Sequence, residues 1–177
     1  MALLDEGGLR ALTVRAAASR VGVAAASLYS RVESVDDLFD LALDKALGDD
    51  QNLTQVSAEG ELPEVMIAYY RHLVRHRWAC QVIGMRAPRG PNYLGLSERM
   101  VVLLTDAGAS DPLGAAYVLS NFVIGSATTA PMVGSERAAP VDVEVAPLYA
   151  RLHDAHAVDS EAILRAGLMA LYSQAIA

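Results

Sequence analysis

The stretch from Leu12 to Leu38, LTVRAAASRVGVAAASLYSRVESVDDL, decides the fold. It reads as two short helices joined at Gly22, with a third close behind. Thr13 can cap the first by accepting hydrogen bonds from free backbone N–H groups, and Val14, Ala17, Ala18 and Val21 recur at helical spacing along one side. Gly22 stops that helix and Val23 re-enters the core. Ala24 to Ser30 then forms a second helix whose Leu28 faces inward, while Ala25, Ala26, Ser27 and Tyr29 face outward. This is the pattern of a helix-turn-helix, whose second helix lies in a DNA major groove. Ser34 ahead of Asp36 and Asp37 is a capped helix start, continued by the apolar Leu38, Leu41 and Ala42.

Composition bounds the class independently. The 177 residues are 53% hydrophobic with few Gly and Pro, enough for one or two small domains with a real core. Cys80 is the only cysteine, which excludes an internal disulfide framework, fits a reducing cytoplasm and reads as a small buried hydrophobe. Met1 to Glu6 has neither the basic start nor the apolar run of a secretory signal. The uncharged segment from Pro112 to Ser135 is interrupted by Ser120, Asn121, Gly125, Ser126, Thr128, Thr129 and Pro131, so a helix buried between protein neighbours is expected rather than a membrane span.

Net charge is −7, which argues against nonspecific coating of nucleic acid, and Asp36 to Asp50 is itself acidic. Arg10, Arg15, Arg20 and Arg31 are the cations near the proposed DNA surface. A second group, Arg71, Arg75, Arg77, Arg86, Arg89 and Arg99, reads as solvated helix faces beside acidic partners rather than as an anion site.

Beyond the helix-turn-helix the pattern is helical throughout. Gly48 to Gly60 reads as a polar connection, and Pro63 opens the next helix. On that helix Met66, Ile67, Tyr70, Leu73, Val74 and Trp78 share one face, with Arg71, His72, Arg75 and His76 on the other. Arg77 falls in the apolar sector and marks a break. Ala87 to Asn92 is a loop, followed by a helix over Leu94 to Ala107. Asp111 and Pro112 start a helix reaching about Thr129. Gly134 to Pro140 reads as a loop, and helices over Val143–Ala155 and Ser160–Ile176 follow.

The ordered series Gly8, Leu12-Thr13-Val14-Arg15, Ala18, Val21-Gly22-Val23, Leu28-Tyr29, Val32 and Leu38 resembles the DNA-binding domain of the tetracycline-repressor (TetR) family of transcriptional repressors. The likeness continues through His76-Arg77-Trp78, Gly90-Pro91-Asn92, Leu103 to Gly108 and Gly125, as in that family's ligand-binding domain. It implies an all-α chain with a helix-turn-helix domain and connecting helix over residues 1–47 and a larger ligand-binding and dimerisation domain over 48–177. It also implies that the first helix is cut short, with only Met1 to Glu6 in its place, so residues upstream would be needed to complete it. Thr13, Arg15, Tyr29 and Arg31 would bind phosphates, while Ala25, Ala26 and Ser27 would approach base edges, where alanine offers only methyl contacts. Ala24 stands where the family has serine and leaves the recognition helix without a side-chain cap. The implied partners are double-stranded operator DNA, a small-molecule effector and a second copy of the chain, with no membrane and no cofactor. Effector binding would move the helix from Asp36 to Leu47 and spoil the half-site spacing.

The uncharged helix has two sides to cover. Tyr117, Ser120, Asn121, Ile124 and Thr128 fall on one, and Val118, Phe122, Gly125, Ser126 and Thr129 on the other. The first should line a ligand cavity with Tyr70 and Trp78, joined by Met66, Met85 and Tyr93. The second should meet a partner subunit together with Ile163, Leu164, Leu168, Leu171 and Tyr172 of the last helix. A central core helix with satisfied polar groups is the alternative. Enzymatic signatures fail: Lys45 is the only lysine and no phosphate-binding loop precedes it. No nucleophile elbow is present. His72 with His76, or His153 with His156, has the spacing of a metal pair but no carboxylate at motif distance, so no metal and no catalytic residue is expected. The competing class is a small-molecule binding protein of the same shape that has lost its operator.

Overall fold

A computed structural model describes residues 1–156 and 158–177, and every regular element among them is helical. The N-terminal unit comprises α1 (Ala2–Gly7), a 3-10 turn (Leu9–Ala11), α2 (Val14–Val21) and α3 (Ala25–Tyr29). The Ala16 N–H donates to Thr13 Oγ1 at 3.0 Å, which caps α2 as its sequence predicts. At the other end Gly22 takes φ 73°, a left-handed conformation that glycine adopts without Cβ strain, and the Val23 N–H closes the turn onto the Ala18 carbonyl at 3.0 Å. The recognition helix α3 has no side-chain cap at Ala24, as expected.

One expectation for this unit fails. Val21 and Val23 are exposed, at 66% and 44%, although their spacing points them inward. The first helix is short, as expected, and the six residues of α1 pack on the 3-10 turn and on α7, where Trp78 Nε1–H reaches Asp5. Val14, Ala18 and Val32 are the buried centre of this unit.

The connecting helix α4 (Val35–Asp49) starts with a reciprocal cap: the Asp37 N–H donates to Ser34 Oγ, and Asp37 Oδ2 accepts from Ser34 N–H at 3.1 Å. Its inward face is Phe39, Leu43, Ala46 and Leu47, while Leu41 is exposed. The segment read as a polar connection instead contains α5 (Gln51–Glu59), capped by Asp50 Oδ1 from the Leu53 N–H at 3.1 Å and docked by Leu53. Then follow α6 (Leu62–Arg75), α7 (Arg77–Met85), α8 (Pro91–Asp106) and α9 (Pro112–Thr129). The break between α6 and α7 falls at His76, so Arg77 starts a new helix and is exposed instead of entering the core. Beyond α9 the expected loop carries a 3-10 turn (Ala130–Met132) and α10 (Val133–Ala138), and α11 (Pro147–Ala155) and α12 (Ser160–Ala175) complete the chain.

The core centres on α9, which packs against α6, α7, α8 and α12. Ala116, Leu119, Val123 and Ala127 form its buried line and join Val65, Met66, Tyr69, Leu73, Leu104, Leu164 and Leu168 in one cluster. Pro112–Ala138 is long and apolar enough to cross a membrane by length and composition, yet only 22% of its most apolar window is buried. The neighbours in the chain therefore cover one line of the helix and leave both flanks open. Tyr117 and Asn121 are exposed on one flank, Val118, Gly125 and Thr129 on the other.

Candidate functional site

Three regions position the chemistry: the N-terminal head, a cavity between α7, α8 and α9, and the α4 face that lies between them. In the head, Thr13, Arg15, Ala26, Ser27, Tyr29 and Arg31 are exposed and Ala25 is half-buried. Thr13 uses its oxygen as a cap and keeps its hydroxyl proton for another acceptor. Arg15 is exposed in the first turn of α2, whose remaining free N–H groups are of the kind that can meet an anion. Arg20 faces Glu6 at 3.8 Å, and both side chains are exposed.

The cavity has a volume of about 350 Å³. Tyr93, Tyr117 and Asn121 line it, together with Ser97, Met100 and Ile124. Five other residues expected there lie elsewhere. Met66 and Tyr70 are buried in the core on α6, whose apolar face packs inward against α9 and α12. Trp78 is buried and its Nε1–H donates to Asp5 Oδ1 at 2.7 Å, tying α7 to α1. Met85 is 57% exposed at the end of α7. Thr128 is one turn too far along α9 and lines a separate cleft with Cys80 and Pro131. Burial pushes the Tyr93 phenol up, while the hydrogen bond from Tyr69 and the positive charge of Arg89 pull it partly back. Burial also raises the Cys80 thiol, consistent with an inert side chain.

The two walls of the cavity are fastened to α4 by a row of carboxylates at one-turn spacing, Asp36, Asp40 and Asp44. Arg86, just past α7, reaches Asp36 Oδ2 at 3.4 Å and Asp40 Oδ2 at 3.2 Å. Asp44 Oδ1 accepts the N–H groups of Asn92 at 2.8 Å and Tyr93 at 3.0 Å, and its Oδ2 accepts Asn92 Nδ2 at 2.9 Å. Asp44 thus satisfies free N–H groups in the first turn of α8. Gly90 makes the approach possible, because a Cβ there would collide with the Asp44 carboxylate. Nothing in the sequence spacing announced these contacts, which join residues 48 and 49 positions apart.

A second polar knot sits where α4 meets α5 and α6. His72 is fully buried, contrary to its place on the polar side of the helical wheel, because α5 covers that side of α6. Its Nδ1 lies 2.9 Å from Asp50 Oδ2, which also accepts from Arg75 Nη1 at 3.1 Å. Burial opposes the Asp50 charge, but His72, the Leu53 N–H and Arg75 overcome it and hold the carboxyl below its usual range. Burial likewise pushes His72 down, against the pull of Asp50. The pair is therefore a carboxylate accepting from a neutral imidazole Nδ1–H, and the buried His72 Nε2 has no partner. His76 pairs separately with Asp5 Oδ1 at 2.7 Å. Among the described residues no group of three or more His, Cys, Asp or Glu could hold a metal. His153 stacks on Tyr149 with ring centroids 5.4 Å apart.

The arginines grouped in the sequence are dispersed in space. Arg71 grips Glu161 of α12 through two hydrogen bonds, and Arg165 joins from the next turn, which together hold that carboxyl at about 2. Arg99 donates to the Ser57 and Gly60 carbonyls at 2.7 and 3.2 Å, closing the end of α5.

On the flank of α9 away from the cavity, Val118 is 51% exposed, and Ile163 of α12 is 52% exposed. Phe122 is half-buried and packs on Gly167, where any Cβ would strike its ring. Leu164 and Leu168 are turned fully into the chain's own core, and Leu171 and Tyr172 are half-buried against it. They fill the α9–α12 seam and so leave an outer face of Val118, Phe122, Gly125, Ser126 and Thr129 flanked by Ile163.

A helix-turn-helix head joined by one long helix to an all-helical body with a cavity beside a half-covered apolar helix defines a class of regulator-like proteins. Residues 61–161 match the model of the tetracyclin repressor-like C-terminal domain, and the chain belongs to the TetR family. An HTH-type transcriptional regulator of Saccharopolyspora erythraea is 38% identical over 128 residues, covering 70% of this chain and 54% of the relative. The chain spans about half the length of the curated relatives it matches. A TetR transcriptional regulator from Streptomyces coelicolor, 18% identical, superposes with a TM-score of 0.78 over 99% of this chain and 92% of that one. The TetR family protein ActR of the same organism, solved in complex with (S)-DNPA, has a TM-score of 0.73 at 26% identity, over 99% of this chain and 92% of that one.

Proposed function

We propose that this protein is a cytoplasmic, homodimeric, ligand-responsive repressor of transcription, with residues 1–47 holding operator DNA and residues 48–177 binding an effector and pairing with a second copy. The observation that carries the reading is the row Asp36, Asp40 and Asp44, which fastens α4 to both walls of the cavity through Arg86 and the first turn of α8. A ligand that repositions the segment from Arg86 to Tyr93 must move or release α4, and α4 carries the head. In a dimer, two heads moved apart no longer match the spacing of two half-sites. ActR, a family member, was solved with a small molecule bound, which supports an effector for this chain as well.

The head would hold DNA through Thr13, Arg15, Tyr29 and Arg31 on phosphates, with Ala25, Ala26 and Ser27 nearest the bases. Their short side chains give sparse direct readout, so shape and backbone contacts carry most of the affinity. Selection of bound duplexes from a random pool, followed by anisotropy titration of the enriched sequence, tests the reading. Enrichment of a two-fold symmetric sequence is expected. Recovery of no sequence above background would leave a small-molecule binding protein without an operator.

A further inference from the structure

Arg89 is the one charged side chain in the wall of the cavity. It projects from the loop between α7 and α8, and its only hydrogen bond is from Nη1 to the Pro88 carbonyl at 2.9 Å. No carboxylate lies within ion-pair distance of it among the described residues. Other arginines, Arg77 among them, also lack a carboxylate partner among the described residues, and what sets Arg89 apart is its place in the cavity wall. Its planar fork matches a carboxylate or other delocalised oxyanion.

The rest of the wall sets the shape of what the oxyanion is attached to. Ile83, Leu94, Val101, Leu113 and Ile124 are aliphatic, Met100 adds a polarisable thioether, and Tyr93 and Tyr117 supply aromatic surface. Ser97 and Ser120 already spend their hydroxyl protons, on the Tyr93 carbonyl at 2.9 Å and Met100 Sδ at 3.6 Å. Asn121 makes no hydrogen bond among the described residues and so keeps both amide functions for a ligand. The polar groups on offer are thus one cation, one amide and the tyrosine hydroxyls.

We infer that the cavity takes an aromatic or polycyclic organic acid, its oxyanion on Arg89 and its ring system against Tyr93, Tyr117 and the aliphatic wall. This deepens the effector reading and rests on it. Because Asp44 grips the two residues after Pro91, and Arg89 sits just before Gly90, an acid drawn onto Arg89 pulls on the segment that is fastened to α4.

The probes are 9-anthracenecarboxylate and its neutral counterpart 9-anthracenemethanol, titrated by fluorescence into the full chain at neutral pH. The carboxylate is expected to bind about tenfold more tightly or better, as one charge-assisted contact allows. Arg89→Gln should erase that preference while leaving the affinity for the alcohol within about twofold. Ser97→Phe, which fills the cavity from α8, should weaken both probes, with thermal melting to show that the variant is folded. Equal binding of the two probes to the wild type, or a preference that survives Arg89→Gln, overturns the acid assignment and leaves the cavity intact. Binding of neither probe, or binding of both undiminished in a folded Ser97→Phe variant, overturns the cavity reading and the acid assignment with it.

Discussion

Removing the Asp50 side chain should destabilise the fold by about 2–4 kcal/mol, a value assembled from the three contacts it makes. Oδ1 caps α5 through the Leu53 N–H at 3.1 Å, and loss of such a cap costs about 1 kcal/mol. Oδ2 is the partner of His72, which has no exposed surface, so Asp50→Ala leaves a buried N–H without an acceptor, a penalty of about 1–3 kcal/mol. Arg75, 60% exposed at its side chain, turns to water and adds little. Urea unfolding followed by far-ultraviolet circular dichroism, at one fixed protein concentration, reads the sum. Asp50→Asn keeps a cap acceptor and should lose less. If Asp50→Ala stays within about 0.5 kcal/mol of the wild type, less than the cap alone contributes, the knot does not hold α4, α5 and α6 together.

The same pair sets a pH dependence. His72 is lowered by burial, so the unfolded chain takes up a proton that the folded chain refuses. Stability from this group is complete above the unfolded value of about 6.5 and declines as pH falls toward the folded one. Asp50 is also lowered, and its contribution persists until more acid conditions, being lost as pH falls from the ordinary carboxylate range through the folded value. His72→Gln should therefore flatten the fall in stability between pH 7 and pH 5, and an unchanged slope would assign it to other groups. Val118→Glu should turn a dimer into monomer or aggregate by sedimentation, because 51% of Val118 is exposed on the proposed interface, whereas Arg77→Glu on an exposed α7 start should leave the dimer intact. Arg15→Ala should weaken binding to every duplex alike and reduce the salt slope by about one unit, and a shift in base preference instead would argue against a phosphate contact. Asp44→Ala should keep ligand affinity near that of the wild type but blunt the release of DNA, measured by anisotropy with and without ligand; full release would mean that α4 is driven by another contact.

The head, the caps and the run of helices could be read from sequence because each depends on near neighbours. Thr13 reaches Ala16, Ser34 reaches Asp37, Asp111 reaches Gly114, and Gly22 needs only its own backbone. What escaped depends on distant packing. In α5 a single buried leucine, Leu53, is the whole inward signal, so its composition reads as a connection. Leu164 and Leu168 have the spacing of an interface, but the same spacing serves the chain's own core, and only the position of α9 decides between them. His72 and the arginines carry the same charge pattern whether a helix faces solvent or another helix. Among the residues expected at the cavity, Tyr117 and Asn121 were legible because α9 has too many apolar sides for its own chain to cover. Tyr70 and Trp78 were misplaced because an aromatic face suits a core as well as a ligand.

The loop that closes the cavity places two neighbouring positions under opposite constraints. A new side chain at position 89 would project into cavity and solvent, whereas any side chain at position 90 would run into Asp44. Variation can therefore alter what the cavity accepts one residue away from the junction that holds α4, without disturbing that junction. Under the proposed function, a lineage carrying this architecture could change the molecule it senses by single substitutions while inheriting its response mechanism unaltered.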